Sequence, residues 1–337
     1  FGQKVTPNEH KIVNTFTLLD NLYTDGEVSQ IGHQWTDSAY GSDYTEKAWT
    51  LGYSGHGQVE SDDRMTSSPG EYIWTLARHH GLKARVFGEY VSVQEDHGPL
   101  HNPIVKANPE KFGFSAAFEK IFARGGRDVE KVNEFLAEMK VAERTGRWPS
   151  LMVMALPEDH TRGMSAGSLS PVSMVADNDL AVGELLSGIS HSPFWKDTAV
   201  FVIEDDAQDG ADHVDSHRTV GLVASPYVRR GAIDSTMYST ASMLRTMELI
   251  LHLPPMTQYD EHATPMYASF SDHPVFKPYQ VTSPEVDLDQ INPKGTELAR
   301  RSAKLDFSDI DRADPDEFNR ILWAACRPGE PYPAIVR

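Results

Sequence analysis

A cluster of acidic residues and histidines follows a short apolar stretch in the second half of the chain. Residues 200–203 (Val-Phe-Val-Ile) are apolar and mostly β-branched, as in a buried strand. Six carboxylates and two imidazoles come directly after them: Glu204, Asp205, Asp206, Asp209, Asp212, His213, Asp215 and His217. Open α/β sheets present their sites at the carboxyl ends of strands, so this cluster is a candidate functional site.

The residue types in this cluster indicate a bound metal. So many like charges in one stretch would repel one another unless a cation lay among them. Carboxylates and imidazoles without a thiolate suit Zn, Fe or Mn, and with fewer histidines Ca or Mg. The alternative is a solvated acidic loop. The metal interpretation is preferred because a buried-type strand leads directly into the cluster.

A second candidate strand, residues 151–156, also ends in residues able to bind a metal. Asp159 and His160 stand side by side three residues after it. Asp159 could instead cap a helix, with His160 as an ordinary neighbour. The metal interpretation gains weight because the acidic strand end at 204–206 follows one helix later, which is the natural spacing of neighbouring parallel strands.

A third strand-to-helix junction carries a serine. Residues 25–33 read Asp-Gly-Glu-Val-Ser-Gln-Ile-Gly-His, a turn followed by a helix start. The hydroxyl of Ser29 would lie at the positive end of that helix, where capping is the commonest role of serine. A free hydroxyl is a poor nucleophile, and a metal beside it would help it to ionise. Three junctions could therefore meet at one edge of the sheet.

The composition excludes several classes of function. Among 337 residues, 31 are Lys or Arg and 49 are Asp or Glu, which gives a formal net charge of -18. Nucleic acids and anionic membranes bind net positive surfaces, so neither is expected as a main partner. A single cysteine, Cys326, excludes an intrachain disulfide. The sequence has no apolar run of the length needed to span a membrane.

Alternating periodicities predict the fold class. A helix is expected from Pro7, with Thr6 as its N-cap and Glu9 completing a capping box. Strands are expected near 16–23, 83–90, 151–156, 198–203 and 220–225, and helices near 29–40, 71–80, 128–144, 174–189 and 240–251. Strands that alternate with helices predict an α/β protein with a mostly parallel sheet and helices on both faces.

Four long stretches resemble a known family. They are residues 18–35 (LLDNLYTDGEVSQIGHQW), 156–163 (LPEDHTRG), 190–219 (SHSPFWKDTAVFVIEDDAQDGADHVDSHRT) and 242–255 (SMLRTMELILHLPP). They resemble the alkaline-phosphatase superfamily, and within it the bacterial phosphoesterase family that includes phosphocholine-type phospholipases C and a secreted acid phosphatase. The branch that it resembles is often fused to a β-propeller, and the similarity covers nearly the whole chain.

The resemblance implies an activity and a site. The expected fold is a three-layer α/β/α sandwich, and the expected reaction is metal-dependent hydrolysis of a phosphoric ester through a phosphoseryl enzyme. The implied metal ligands are Ser29, Asp159, His160, Asp205, Asp206 and His213, and the implied catalytic residues are Ser29, His33, His213 and His217. The metal would be Zn, Fe, Mn or Ca. A phosphomonoesterase is preferred, with a phospholipase C-type phosphodiesterase or a non-catalytic metal-binding surface protein as alternatives.

The resemblance also implies how the chain is organised. A catalytic domain would span 1–270, with insertions near 41–70 and 94–148, and a C-terminal extension, 271–337, would pack on it. Relatives carry an early Glu-Asn ligand pair on a strand upstream of the motif that begins this chain, so about 30 or more residues are expected before Phe1. The substrate would be a small phosphate ester, a β-propeller could precede the domain, and the location would be periplasmic or extracellular in a bacterium.

Overall fold

Helices and strands alternate along the chain. The computed structural model describes residues 1–53, 68, 70–89, 109–207, 215, 217–307 and 313–333. The strands in these ranges are β1 (Thr17–Leu19), β2 (Leu22–Tyr23), β3 (Ala84–Phe87), β4 (Leu151–Met154), β5 (Val200–Ile203), β6 (Gly221–Ala224), β7 (Ala232–Asp234) and β8 (Tyr238–Ser239). The α-helices are α1 (Pro7–Thr15), α2 (Ser29–Ser38), α3 (Asp43–Tyr53), α4 (Ile73–His79), α5 (Ala116–Ala123), α6 (Asp128–Thr145), α7 (Pro171–His191), α8 (Thr240–Leu251), α9 (Gln258–His262), α10 (Glu297–Ser302) and α11 (Pro315–Cys326).

The strands pair in one larger sheet and two small ones. The four-stranded sheet has the order β5-β6-β1-β7, and β3 pairs with β4 and β2 with β8 in separate two-stranded sheets. β6 runs antiparallel to both β5 and β1, whereas β1–β7, β2–β8 and β3–β4 are parallel. Thr17 lies opposite both Val223 and Ala232 in this register. Parallel pairs therefore predominate among these strands.

The main core lies between the four-stranded sheet and the helices α1, α6 and α7. α6 buries Val132, Phe135 and Met139, which recur at the helical period along one face as the sequence predicts. Phe135 packs edge-on against Phe87 of β3, with ring centroids 5.2 Å apart. β3, and β4 paired with it, therefore pack beside α6.

The start of α1 differs from its prediction. Thr6 occupies the N-cap position, but its side chain makes no capping hydrogen bond. The carboxylate of Asp179 in α7 accepts hydrogen bonds from the backbone amides of Asn8 (3.0 Å) and Glu9 (2.8 Å) instead. The Thr6 hydroxyl lies 3.1 Å from Nδ1 of His10. A cap supplied by a distant helix ties α1 to α7, which a local capping box would not do.

The two predicted insertions contain helices that the sequence did not suggest. α3 begins in the polar stretch assigned to 41–70, and α5 lies within 94–148. The C-terminal stretch contacts the first helix, because Asn8 Oδ1 accepts hydrogen bonds from the Tyr279 hydroxyl and the Thr282 amide. The boundaries of the predicted domains stay a prediction. Within the described ranges, none of the helices combines the length and the apolar character needed to cross a bilayer.

The capping of α1 gives a direct test. Asp179→Ala leaves two backbone amides of the first turn without their acceptor, and we expect the free energy of unfolding to fall by about 1–3 kcal/mol. Thr6→Ala removes no cap and should cost less. Urea unfolding of both variants measures the difference. A larger loss for Thr6→Ala would contradict the assignment of the cap to Asp179.

Candidate active site

Ser29 and Asp206 meet where two strand-to-helix junctions come together. Ser29 is the first residue of α2, and Asp206 lies three residues beyond the end of β5. The Ser29 hydroxyl donates a hydrogen bond of 2.6 Å to Oδ2 of Asp206. Val28 occupies the N-cap position of α2, so the commonest alternative role of Ser29, as a helix cap, does not apply. The serine is 7% exposed, which places it at the inner end of the site.

The first turn of α2 lies directly on the backbone after β5. A Cβ added at Gly32 would overlap the carbonyl oxygen of Asp205, so only glycine fits at this point. This contact holds Ser29 and Asp205 at a fixed distance from each other. His33, the next residue, places its Nε2 3.4 Å from Oδ2 of Asp205.

Asp159 reaches the same place from the end of β4. It lies in a short 3-10 helix, Pro157–His160, and its side chain is hydrogen-bonded to Glu204. Burial and the carboxylates of Asp128 and Asp205 raise the pKa of Asp159 to about 6. Burial and the carboxylates of Asp159 and Asp205 raise the pKa of Glu204 well above its ordinary value. The Glu204 side chain is nevertheless open to solvent, whereas Asp159 is only partly exposed.

A buried polar network holds the 3-10 helix in place. Asp128 at the start of α6 accepts hydrogen bonds from the Glu158 amide (2.9 Å) and from Asn178 Nδ2 (3.0 Å). Lys131 Nζ lies 2.7 Å from the other oxygen of Asp128, and both side chains are almost fully buried. Asp128 therefore anchors the segment that carries Asp159 and His160. Sequence analysis did not identify this network, because its members come from three separate elements.

His33 is held on its other side by an acidic pair. Its Nδ1 lies 2.6 Å from Oε1 of Glu89, and Glu89 is hydrogen-bonded to Asp37. Burial lowers the pKa of His33, but Glu89 and Asp205 outweigh it and raise that pKa well above its ordinary value. Burial and Glu89 raise the pKa of Asp37 well above its ordinary value. Asp37 and Glu89 were not predicted, although Ser29, His33 and Asp37 recur every four residues on α2 and Glu89 follows β3.

The predicted site residues are thus partly assembled. Ser29, His33, Asp205 and Asp206 form one connected group, and Asp159 joins it through Glu204. His160 adjoins Asp159 in the 3-10 helix, and its charge lowers the pKa of that acid. His217 lies 3.0 Å from Asp215 and 3.6 Å from Glu27, two residues before Ser29. His213 falls outside the described residues.

The donor set fits a divalent cation. The Ser29 hydroxyl lies against Asp206, and burial together with neighbouring carboxylates raises the pKa values of Asp159 and Glu204. A cation between these oxygens would favour the charged forms. Oxygen ligands with an imidazole nearby are compatible with each of the metals that the sequence suggested.

Comparison with known proteins identifies the family. The sequence profile of the Phosphoesterase family matches residues 1–254, about three quarters of the chain. The chain belongs to the phosphoesterase family. No curated protein matches it. The chain is therefore an ester-bond hydrolase, and the family resemblance of its sequence motifs is confirmed.

Solved structures resemble this chain at low sequence identity. The lipoteichoic acid synthase LtaP from Listeria monocytogenes has 12% identity and a TM-score of 0.51, over 96% of this chain and 85% of that one. A protein in the alkaline phosphatase superfamily from Vibrio parahaemolyticus has 16% identity and a TM-score of 0.48, over 96% and 82%. The phosphonate monoester hydrolase from Silicibacter pomeroyi has 10% identity and a TM-score of 0.45, over 74% and 69%. The likeness to LtaP confirms the predicted α/β fold.

The contact at Gly32 predicts the effect of a single methyl group. Gly32→Ala should push α2 away from the backbone of Asp205, and a displacement of this kind is expected to lower ester hydrolysis by about 100-fold. Gly70→Ala is the control, since a Cβ there meets only ordinary contacts of 3.4 Å and more. Steady-state hydrolysis measures both. Full turnover in Gly32→Ala would show that the close contact is not needed.

Proposed function

We propose that this phosphoesterase is a metal-dependent hydrolase of phosphomonoesters that uses Ser29 as its nucleophile. The observation that carries the proposal is the 2.6 Å hydrogen bond from the Ser29 hydroxyl to Asp206. An oxygen nucleophile needs a nearby group that takes its proton, and a carboxylate at this distance meets that need. The position of Ser29 at the start of α2 supports the same role.

The start of α2 provides positive partial charge for a phosphoryl group. Ser29 is the first residue of a ten-residue helix, whose first backbone N–H groups have no partner within the helix. Such N–H groups and the helix dipole stabilise an anion. A phosphate ester whose phosphorus lies near Ser29 Oγ would therefore have its oxygens close to these donors.

The reaction then proceeds in two steps. Ser29 Oγ attacks phosphorus and gives its proton to Asp206; the Oγ–P bond forms, the ester P–O bond breaks, and the leaving oxygen takes a proton from solvent and departs as the alcohol. Water next attacks the phosphoseryl group and gives a proton to solvent; the Oγ–P bond breaks, inorganic phosphate leaves, and Ser29 Oγ takes its proton back from Asp206. Fixed charges and dipoles around the phosphorus lower the barrier of both steps because charge develops on its oxygens.

The metal would be held by Ser29, Asp205 and Asp206, with Asp159, His160 and His213 as the further predicted ligands. A divalent ion among these oxygens supplies Lewis-acid stabilisation of the phosphoryl charge. Zn, Fe, Mn and Ca remain the candidates. His33, beside Asp205, would orient that carboxylate, and His217 is assigned to the substrate side of the site, near Glu27. A β-propeller upstream and a periplasmic or extracellular location stay predictions of the resemblance.

The nucleophile is tested by removing one oxygen atom. Ser29→Ala should lower hydrolysis of p-nitrophenyl phosphate by a factor on the order of 10³ or more, with an unchanged melting temperature. Acid quenching of wild type during turnover, followed by mass spectrometry, should place a phosphoryl group on Ser29. Ser38→Ala, in the same helix, is the matched control. Substantial turnover in Ser29→Ala would rule out a serine nucleophile, and a preference for bis-p-nitrophenyl phosphate would reassign the enzyme as a phosphodiesterase.

The metal ligands are tested by metal content. Asp206→Asn removes one negative oxygen donor from the crowded site, so the protein should retain one divalent ion fewer per chain after dialysis, as measured by elemental analysis. Asp234→Asn is the control, because Asp234 is a buried carboxylate bonded to Tyr238 and Ser269. Unchanged metal content in Asp206→Asn would remove Asp206 from the ligands.

A further inference from the structure

A second group of ligating side chains lies behind the active site. His33, Asp37 and Glu89, here called the His33 cluster, each offer one ligand atom, and the three atoms lie within 4.8 Å of one another. We propose that the His33 cluster binds its own divalent transition-metal ion of the Zn²⁺ type, separate from the ion at Ser29, Asp205 and Asp206. The inference goes beyond the hydrolase function, and of its three residues only His33 also belongs to the proposed active site.

The spacing of the three donors suits one ion. In a tetrahedral site zinc lies about 2.0–2.2 Å from each nitrogen or oxygen ligand, so two ligands are roughly 3.4 Å apart. The three donor atoms lie within 4.8 Å of one another. His33 Nδ1 and Glu89 Oε1 are 2.6 Å apart, a hydrogen-bond distance, so these two atoms would move apart as the ion takes the place of the proton between them.

The two carboxylates of the His33 cluster are buried, unlike acidic side chains on a protein surface. Asp37 is 2% exposed and Glu89 is 6% exposed. Apart from the hydrogen bond that Asp37 shares with Glu89, the residues that the structure describes offer no donor to the buried Oδ2 of Asp37. A buried oxygen of this kind costs free energy unless it is satisfied, and a metal bond would satisfy it.

A divalent ion suits the formal charges of these donors. Bound to one neutral imidazole and two carboxylates, a divalent ion gives a sum of zero. The buried cluster would then hold no uncompensated charge, which would be costly.

The position of the cluster suggests what the ion would do. Ser29, His33 and Asp37 are spaced by four residues and share one face of α2, while Glu89 follows β3. A bound ion would fasten α2 to the end of β3 by bonds with defined geometry, and Ser29 would be positioned by the same helix. The ion would fix the position of α2. The His33 ring would also connect the ion to Asp205 of the proposed active site.

The donor set selects the class of metal. One imidazole nitrogen and two carboxylate oxygens suit Zn²⁺, and a hard ion such as Ca²⁺ prefers six to eight oxygen ligands instead. Zn²⁺ alone is therefore the probe. The protein is stripped with a chelator, reloaded with Zn²⁺ and crystallised, and anomalous differences at the zinc edge are mapped. We expect a peak within bonding distance of His33 Nδ1, Asp37 and Glu89.

Substitutions provide a second measurement in solution. Asp37→Asn and Glu89→Gln keep the shape of each side chain and remove its charge, so each should retain one zinc fewer per chain after dialysis. Asp206→Asn removes a proposed ligand of the other ion. A chain that carries both Asp37→Asn and Asp206→Asn should therefore retain two metal ions fewer than wild type. The matched control is Glu248→Gln, because Glu248 and Asp260 form a buried carboxyl pair beside an arginine, not a histidine.

The outcomes separate this inference from the proposed function. Zinc at the His33 cluster but not at Ser29 would support the inference and contradict the catalytic metal. Zinc at Ser29 alone, with full content in Asp37→Asn, would overturn the inference and leave the hydrolase mechanism intact. An equal loss in Glu248→Gln would also overturn it, since the effect would then be general destabilisation. The wild-type anomalous map decides even if a variant fails to fold.

Discussion

The site depends on one close contact, the seating of the first turn of α2 on the backbone that follows β5. Gly32 permits it, because any side chain there would overlap the carbonyl oxygen of Asp205. With the two backbones in contact, the Ser29 hydroxyl reaches Asp206 and the His33 ring reaches Asp205 in the same turn of helix. Contacts elsewhere in the fold hold these two segments in place. β5 is fixed within the four-stranded sheet, and Asp25, ahead of α2, accepts a hydrogen bond from the first turn of α8.

The second constraint is electrostatic, since a chain with a net charge of -18 brings many carboxylates into its interior. Several of these acids have partners that the chain provides: Asp128 is paired with Lys131, and Asp179 accepts the amides of α1. Asp159 and Glu204 share a hydrogen bond, and burial and neighbouring carboxylates raise the pKa values of both. A divalent cation beside these two acids would favour their charged forms, as the proposed function requires.

The sequence pointed to those candidate residues that depend on local pattern. Ser29, Asp159 and the Asp205-Asp206 pair were singled out because each follows an apolar strand, and both the strands and the polar ends are short-range signals. Their roles stay a prediction. The cap of α1 was assigned to Thr6 because Asp179 is 171 residues from Asn8, and no local pattern reports such a partner. Asp37 and Glu89 were missed for the same reason, as their meeting depends on how α2 packs against β3. α3 was missed because its sequence is largely polar, although Lys47 lies 2.6 Å from Asp43 one turn earlier, a pair typical of exposed helices.

Three pairs of buried carboxyl groups show how the protein accommodates acids in its interior. The pairs differ in the basic side chain beside them. Glu158 shares a hydrogen bond with Asp177 next to Arg127, and Glu248 shares one with Asp260 next to Arg245. Burial and the partner acid raise the pKa of Glu158 to about 9 and that of Glu248 to about 8, so each pair holds a proton at neutral pH. The pair of Asp37 and Glu89 has His33 in place of an arginine. An arginine keeps its charge and cannot ligate a metal, whereas an imidazole can lose its proton and do so. The pair beside α2 is thus the one of the three whose basic side chain could bind the metal ion that we propose for the His33 cluster.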